Sequence, residues 1–133
     1  MKATLVTIGE DASIVDAAKK MKAKKVSCLL VADASGQCDS IVTESDLVKK
    51  ALAEQRLSAK VRDVANKPLI TISSGADLTE AARKMGEKNV RRLIVVDEQQ
   101  IVGIISAKEV MQISPSLYDL IAEQEHYRAE ISA

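Results

Sequence analysis

An α/β fold of the α+β type, built from one β-α-β-β-α unit written twice, is predicted by three features of this sequence. Apolar residues recur at strand and helix periods in the same order in each half. The halves align with each other at a nearly constant offset. In each half, too, an apolar strand runs into a hydroxyl residue with a carboxylate three positions later, at Ile41-Val42-Thr43-Glu44-Ser45-Asp46 and Ile104-Ile105-Ser106-Ala107-Lys108-Glu109.

In chain order, residues 5–8 read as a short strand and 12–25 as a helix. Ser13 is placed to cap that helix, and Ile14, Ala17, Ala18 and Met21 make an apolar stripe at helical spacing. Residues 26–31 form an apolar run fit for a buried strand, Asp33-Ala34-Ser35-Gly36 a turn, and 40–42 the next strand. Thr43 is a natural N-cap, with Glu44 and Asp46 in the first turn where the helix dipole favours acid, so a helix is expected over 44–56. A polar connection with one short helical turn then runs from 57 to 67 and ends at Pro68, which discourages helix before it.

From Leu69 the plan repeats. At an offset of 64, Thr7/Thr71, Ile8/Ile72, Ala17/Ala81, Ala18/Ala82, Lys20/Lys84, Met21/Met85, Lys24/Lys88, Val26/Val90, Leu29/Leu93, Val31/Val95 and Asp33/Asp97 are identical. Past the second turn, one residue shorter, the offset is 63, and Thr43 meets Ser106 and Asp46 meets Glu109. Average residue usage would give roughly two identities over such a span. Neither half has much core alone, so the two are expected to pack about a pseudo-two-fold axis. The expected division is repeat 1 over 1–56, a connection over 57–67, repeat 2 over 68–113 and a helical tail over 114–133. In that tail Ser114-Pro115-Ser116 starts a helix, and Leu117, Leu120, Ile121, Tyr127 and Ile131 form a thin apolar stripe. The stripe folds back on its own domain or reaches a second subunit.

Composition narrows the function. Lys plus Arg and Asp plus Glu both number 19, so net charge is zero and bulk electrostatics supply no affinity for nucleic acid. There is no Trp or Phe, and Tyr118 and Tyr127 lie near the C-terminus, which leaves the main body no aromatic platform for bases. No apolar run is long enough for a membrane span, and the start of the chain has no signal-peptide pattern, so a cytoplasmic location is expected. In a hairpin turning near Ser35-Gly36, Cys28 and Cys38 do not face each other and are expected to be free thiols. His126 stands alone, so no metal site is expected, and nothing pairs a nucleophile with a base. No catalytic residue is assigned. Lys19, Lys20, Lys22, Lys24 and Lys25 read as a solvated helix face or a patch for an anionic partner. Met21 and Met85 read as core.

By spacing alone, each hydroxyl-x-x-carboxylate junction is a capped helix start or a nucleotide cradle. Amides at a helix N-terminus attract phosphate, and a carboxylate can accept hydrogen bonds from both ribose hydroxyls. Duplication of the junction within tandem β-α-β-β-α units resembles a CBS-domain pair (cystathionine β-synthase domains, or Bateman module). The second half carries the resemblance most closely, through Pro68-Leu69-Ile70-Thr71-Ile72, Asn89-Val90-Arg91-Arg92-Leu93-Ile94-Val95-Val96-Asp97 and Ile101-Val102-Gly103-Ile104-Ile105-Ser106. The first half has Ser40 where the family usually has the glycine seen at Gly103. The match covers residues 5–113.

What this resemblance implies is regulatory binding of an adenine nucleotide (AMP, ADP or ATP) or S-adenosylmethionine in clefts between the repeats. A first cleft would use Thr43 towards phosphate and Asp46 for the ribose, with Ala65, Ile70 and Val90 around the base and Arg91 and Arg92 near phosphate. A second, weaker cleft would use Ser106 and Glu109 with Val6, Val26 and Ser27 opposite. Glu109 is a methylene longer than Asp46, and Ser27 and Cys28 stand where the other repeat has the two arginines, whose forks suit phosphate. The resemblance also implies a homodimer and a regulated protein partner. Two other functions remain open: a ligand-free dimerisation or scaffold module, and a single-stranded nucleic-acid binder, the latter disfavoured by neutral charge and absent aromatics.

Overall fold

In the computed structural model, residues 5–117 and 119–121 are described. The chain divides into two units, residues 5–69 and the residues from 70 onward. In the first, β1 (Thr7–Gly9), α1 (Ile14–Lys24), β2 (Cys28–Ala32) and β3 (Cys38–Thr43) are followed by one helical turn, α2 (Glu44–Asp46), which continues into π-helical winding over Leu47–Leu52. The short helix α3 (Val61–Val64) completes it. The second unit holds β4 (Thr71–Ser73), α4 (Leu78–Lys88), β5 (Arg92–Asp97), β6 (Gln100–Ser106) and α5 (Ala107–Ile113), then a 3-10 turn at Pro115–Leu117. Both units are α/β, each with one three-stranded sheet, ordered β1-β2-β3 and β4-β5-β6.

The central strand explains each apolar run. In β2 the consecutive residues Leu29, Leu30 and Val31 are all buried, as are Leu93, Ile94 and Val95 in β5, because a middle strand is covered on both faces. β1 and β4 pair with it in parallel, and β3 and β6 return antiparallel. The register slips at the same place in both hairpins, between Val31 and Ala32 and between Val95 and Val96. Cys28 faces Thr43 and Cys38 faces Ala32, so the two cysteines are not cross-strand partners, and neither is in a disulfide.

Local chemistry repeats with the fold. Ser13 accepts from the Asp16 amide at 3.0 Å, and Asp77 accepts from the Glu80 amide at 2.9 Å, as N-caps of α1 and α4. Both helices end on a left-handed residue, Lys25 and Asn89, at φ 57° and 54°. Asn tolerates that conformation better than Lys does. The identity Lys20/Lys84 also has a physical basis: each ammonium reaches back to a strand carbonyl, that of Thr7 and that of Thr71.

The structure departs from the sequence reading in several places. The helix expected over 44–56 is one α turn and a π segment ending at Leu52. Ala18, placed on the apolar stripe, is exposed, whereas its counterpart Ala82 is buried. In the second unit α4 also packs on α5 and on the 3-10 turn, giving that helix a wider covered face. The start of the tail is that 3-10 turn, but Leu117, Leu120 and Ile121 pack on the core of their own unit, one of the two placements expected of the stripe. Tyr118, Glu123, His126, Tyr127 and Ile131 lie outside the described residues.

Candidate ligand site at the strand-to-helix junctions

At the end of β3, Thr43 and Asp46 form a reciprocal cap. The Asp46 amide donates to Thr43 Oγ1 at 3.2 Å, while the Thr43 amide and hydroxyl donate to Asp46 Oδ2 at 2.8 and 2.9 Å. The Glu44 amide is spent as well, on the carbonyl of Ser27 at 3.0 Å. The expected cradle of free amides is therefore reduced: two first-turn donors are engaged within the protein. Asp46 is 7% exposed, and burial of a carboxylate is costly unless it is paired.

Two residues not singled out by the sequence complete the pairing. Asn66 Nδ2 donates to Asp46 Oδ2 at 2.8 Å, and Lys50 Nζ lies 3.2 Å from Oδ1. The same ammonium donates to Asn66 Oδ1 at 2.7 Å and to the Val64 carbonyl at 3.2 Å. These contacts determine the amide's orientation, since the flipped form would oppose donor to donor. The Asn66 backbone is held in turn by reciprocal bonds with Ile41, at 2.8 and 3.2 Å. Lys50 carried one signal in the sequence, its i,i+4 spacing from Asp46. Asn66, 20 residues away, carried none.

The second unit builds a related junction. Ser106 Oγ accepts from the Glu109 amide and donates to Glu109 Oε1, both at 3.2 Å, and the Ala107 amide reaches the Arg91 carbonyl at 2.8 Å. The position matching Lys50 at the offset of 63 is Ile113, 58% exposed.

The apolar candidates are all half-buried. Val6, Val26 and Ala65 rim the core of the first unit, and Ile70 and Val90 rim that of the second. The Val6 and Ile70 carbonyls make the same bond, to the amides of Leu30 and Ile94. Ser27 lies beside the first junction through its carbonyl, and Arg91 beside the second. Arg91 is exposed and Arg92 half-buried at the start of β5.

Among the described residues no group of three or more His, Cys, Asp or Glu side chains is arranged to hold a metal ion. No described helix is long and apolar enough to cross a membrane. Burial pushes the Cys38 thiol up, and the nearby Asp39 and Asp33 carboxylates add to the effect.

Tandem β-α-β-β-α units, each closing on a capped hydroxyl-x-x-carboxylate junction, define a repeat architecture rather than one protein. The chain belongs to the CBS domain family, whose model matches residues 1–53 and 61–116. It is 31% identical to the uncharacterized protein MJ0450 of Methanocaldococcus jannaschii, over 98% of this chain and 72% of that protein. It spans less than two thirds of several other relatives, such as 21% of the CBS domain-containing protein CBSCBSPB5 of Arabidopsis thaliana. Among solved structures it is similar to the CBS-domain containing protein ATU1752 from Agrobacterium tumefaciens, with a TM-score of 0.76 and 31% identity, covering 83% of this chain and 84% of that one. It also shares its fold with the CBS domain protein PAE2072 from Pyrobaculum aerophilum, solved in complex with AMP. That match has a TM-score of 0.76 and 23% identity, over 92% of this chain and 95% of that one. Modules of this family are generally regulatory and bind nucleotides.

Proposed function

We propose that this chain is a regulatory module that binds an adenine nucleotide of the AMP, ADP or ATP class and signals occupancy to a protein partner, without catalysis. The observation that carries the reading is Asp46: a nearly buried carboxylate, held by its own N-cap, at the position where the family's motif places its ribose ligand. Thr43 is assigned to phosphate, together with Arg91 and Arg92, and Ala65, Ile70 and Val90 to the base. Ser106 and Glu109, with Val6, Val26 and Ser27, form the weaker assignment. A fold neighbour in complex with AMP supports the ligand class. Signalling follows from differential affinity: a ligand shifts a conformational equilibrium only by the difference in its binding to the two states.

A second reading, a dimerisation module, has one observation in its favour. Val48 and Leu52, one helical turn apart, are 54% and 59% exposed, and Val15 is exposed on α1, which packs against their segment. A homodimer is compatible with either function.

Isothermal titration with AMP, ADP, ATP and S-adenosylmethionine, in parallel with Asp46→Ala, tests the proposal. Loss of charge-assisted ribose hydrogen bonds, roughly 1.5–3 kcal/mol, weakens affinity about ten- to a hundredfold. No heat with any of the four ligands, and no shift in melting temperature at millimolar concentration, refutes the nucleotide reading and favours the scaffold.

A further inference from the structure

Resting on the nucleotide reading, we propose that Lys50 and Asn66 are positioning residues of the ligand site. Asn66, itself held by Lys50, helps commit Oδ2 of Asp46 to the protein, and the Lys50 ammonium beside Oδ1 fixes that oxygen in place as the acceptor for a ribose diol. Three donors converge on Oδ2: the Thr43 amide, the Thr43 hydroxyl and Asn66 Nδ2, all within 2.9 Å. A carboxylate offers about two lone-pair sites per oxygen, so Oδ2 has no capacity left for a ligand. Oδ1 has the Lys50 ammonium 3.2 Å away as an ionic neighbour, and that ammonium directs hydrogen bonds at Val64 and Asn66.

Three separate chain segments thus fix one carboxylate: the end of β3, the π segment and the residues after α3. A group held this way loses little freedom when a ligand arrives, which is the benefit of preorganisation. The second unit shows that the fold itself does not require the lysine, since Ile113 occupies the matching position. The Lys50 side chain is 43% exposed, so its replacement leaves the core untouched.

The test compares AMP with 2′,3′-dideoxy-AMP, which lacks both ribose hydroxyls, by titration calorimetry on the full chain. Wild type is expected to prefer AMP by about tenfold or more. Lys50→Met and Asn66→Ala should each cut that preference to about twofold or less while circular dichroism and melting temperature stay near wild type. Lys50→Arg, which retains the charge and the donors, should keep most of it. An undiminished preference in both Lys50→Met and Asn66→Ala, with Asp46→Ala abolishing it, overturns this inference and leaves the nucleotide reading standing. Equal loss in Lys50→Met and Lys50→Arg assigns Lys50 to structure and also overturns it. Wild type that binds both compounds equally removes the ribose role of Asp46 itself, and the positioning role with it.

Discussion

Thr43 holds the first junction together by accepting one hydrogen bond and donating two, so its substitutions separate the cap from the ligand. Thr43→Ala should cost about 1 kcal/mol of stability, as lost N-caps do, whereas Thr43→Ser should restore most of it in urea unfolding. Cys38 behaves differently. Its thiol is pushed up by burial and then by Asp39 and Asp33, so it holds its proton more tightly than an unfolded thiol does. That contribution to stability is fully present below the unfolded thiol's pKa and is lost as pH rises through the folded one. Iodoacetamide at pH 8 should therefore label Cys38 more slowly than the same cysteine in the denatured chain, as peptide mass spectrometry would show. Equal rates would mean the burial is not felt.

Helix α4 illustrates what periodicity can and cannot supply. Met85 was legible as core from its place on the stripe with Ala81 and Ala82, and it is fully buried. Met85→Ala should cost about 2–5 kcal/mol by urea unfolding, against less than about 0.5 kcal/mol for the exposed Val48→Ala. A destabilisation at Val48 comparable to that at Met85 would show that its face is covered in solution. The caps at Ser13 and Thr43, the turn at Asp33 and both hairpins were legible for the same reason, because each depends on residues within a few positions. The π winding after Asp46 was not, since Leu47 and Ala51 recur four apart as they would on an α-helix. Asn66 was invisible in principle: nothing near it in the chain announces a carboxylate 20 positions earlier. The exposed Ala18 beside the buried Ala82 marks the other limit, that identical residues in a repeat inherit different neighbours.

At the scale of the whole chain, the repeat and the junctions together point to the CBS domain family, and the exchange of Asp46 for Glu109 already makes the two junctions unequal in the sequence; the contacts of Lys50 and Asn66 with Asp46 are what only the fold brings together. The backbone geometry of the two sheets has one further consequence. β1 and β4 are each three residues long and lie at one end of their sheet. The Val6 and Ile70 carbonyls turn inward to the neighbouring strand, so those of Thr7 and Thr71, one residue on, turn outward. These are the acceptors taken by Lys20 and Lys84. An outward row of bare acceptors is a template on which a strand from another molecule can polymerise, and a charged amine seated there blocks it. The double substitution Lys20→Met and Lys84→Met should raise light scattering during refolding while leaving nucleotide titrations unchanged, and equal scattering would deny the lysines this duty. Raised scattering would make the duplicated lysine a safeguard against aggregation, copied along with the fold because in each copy it sits on the outermost of the described strands.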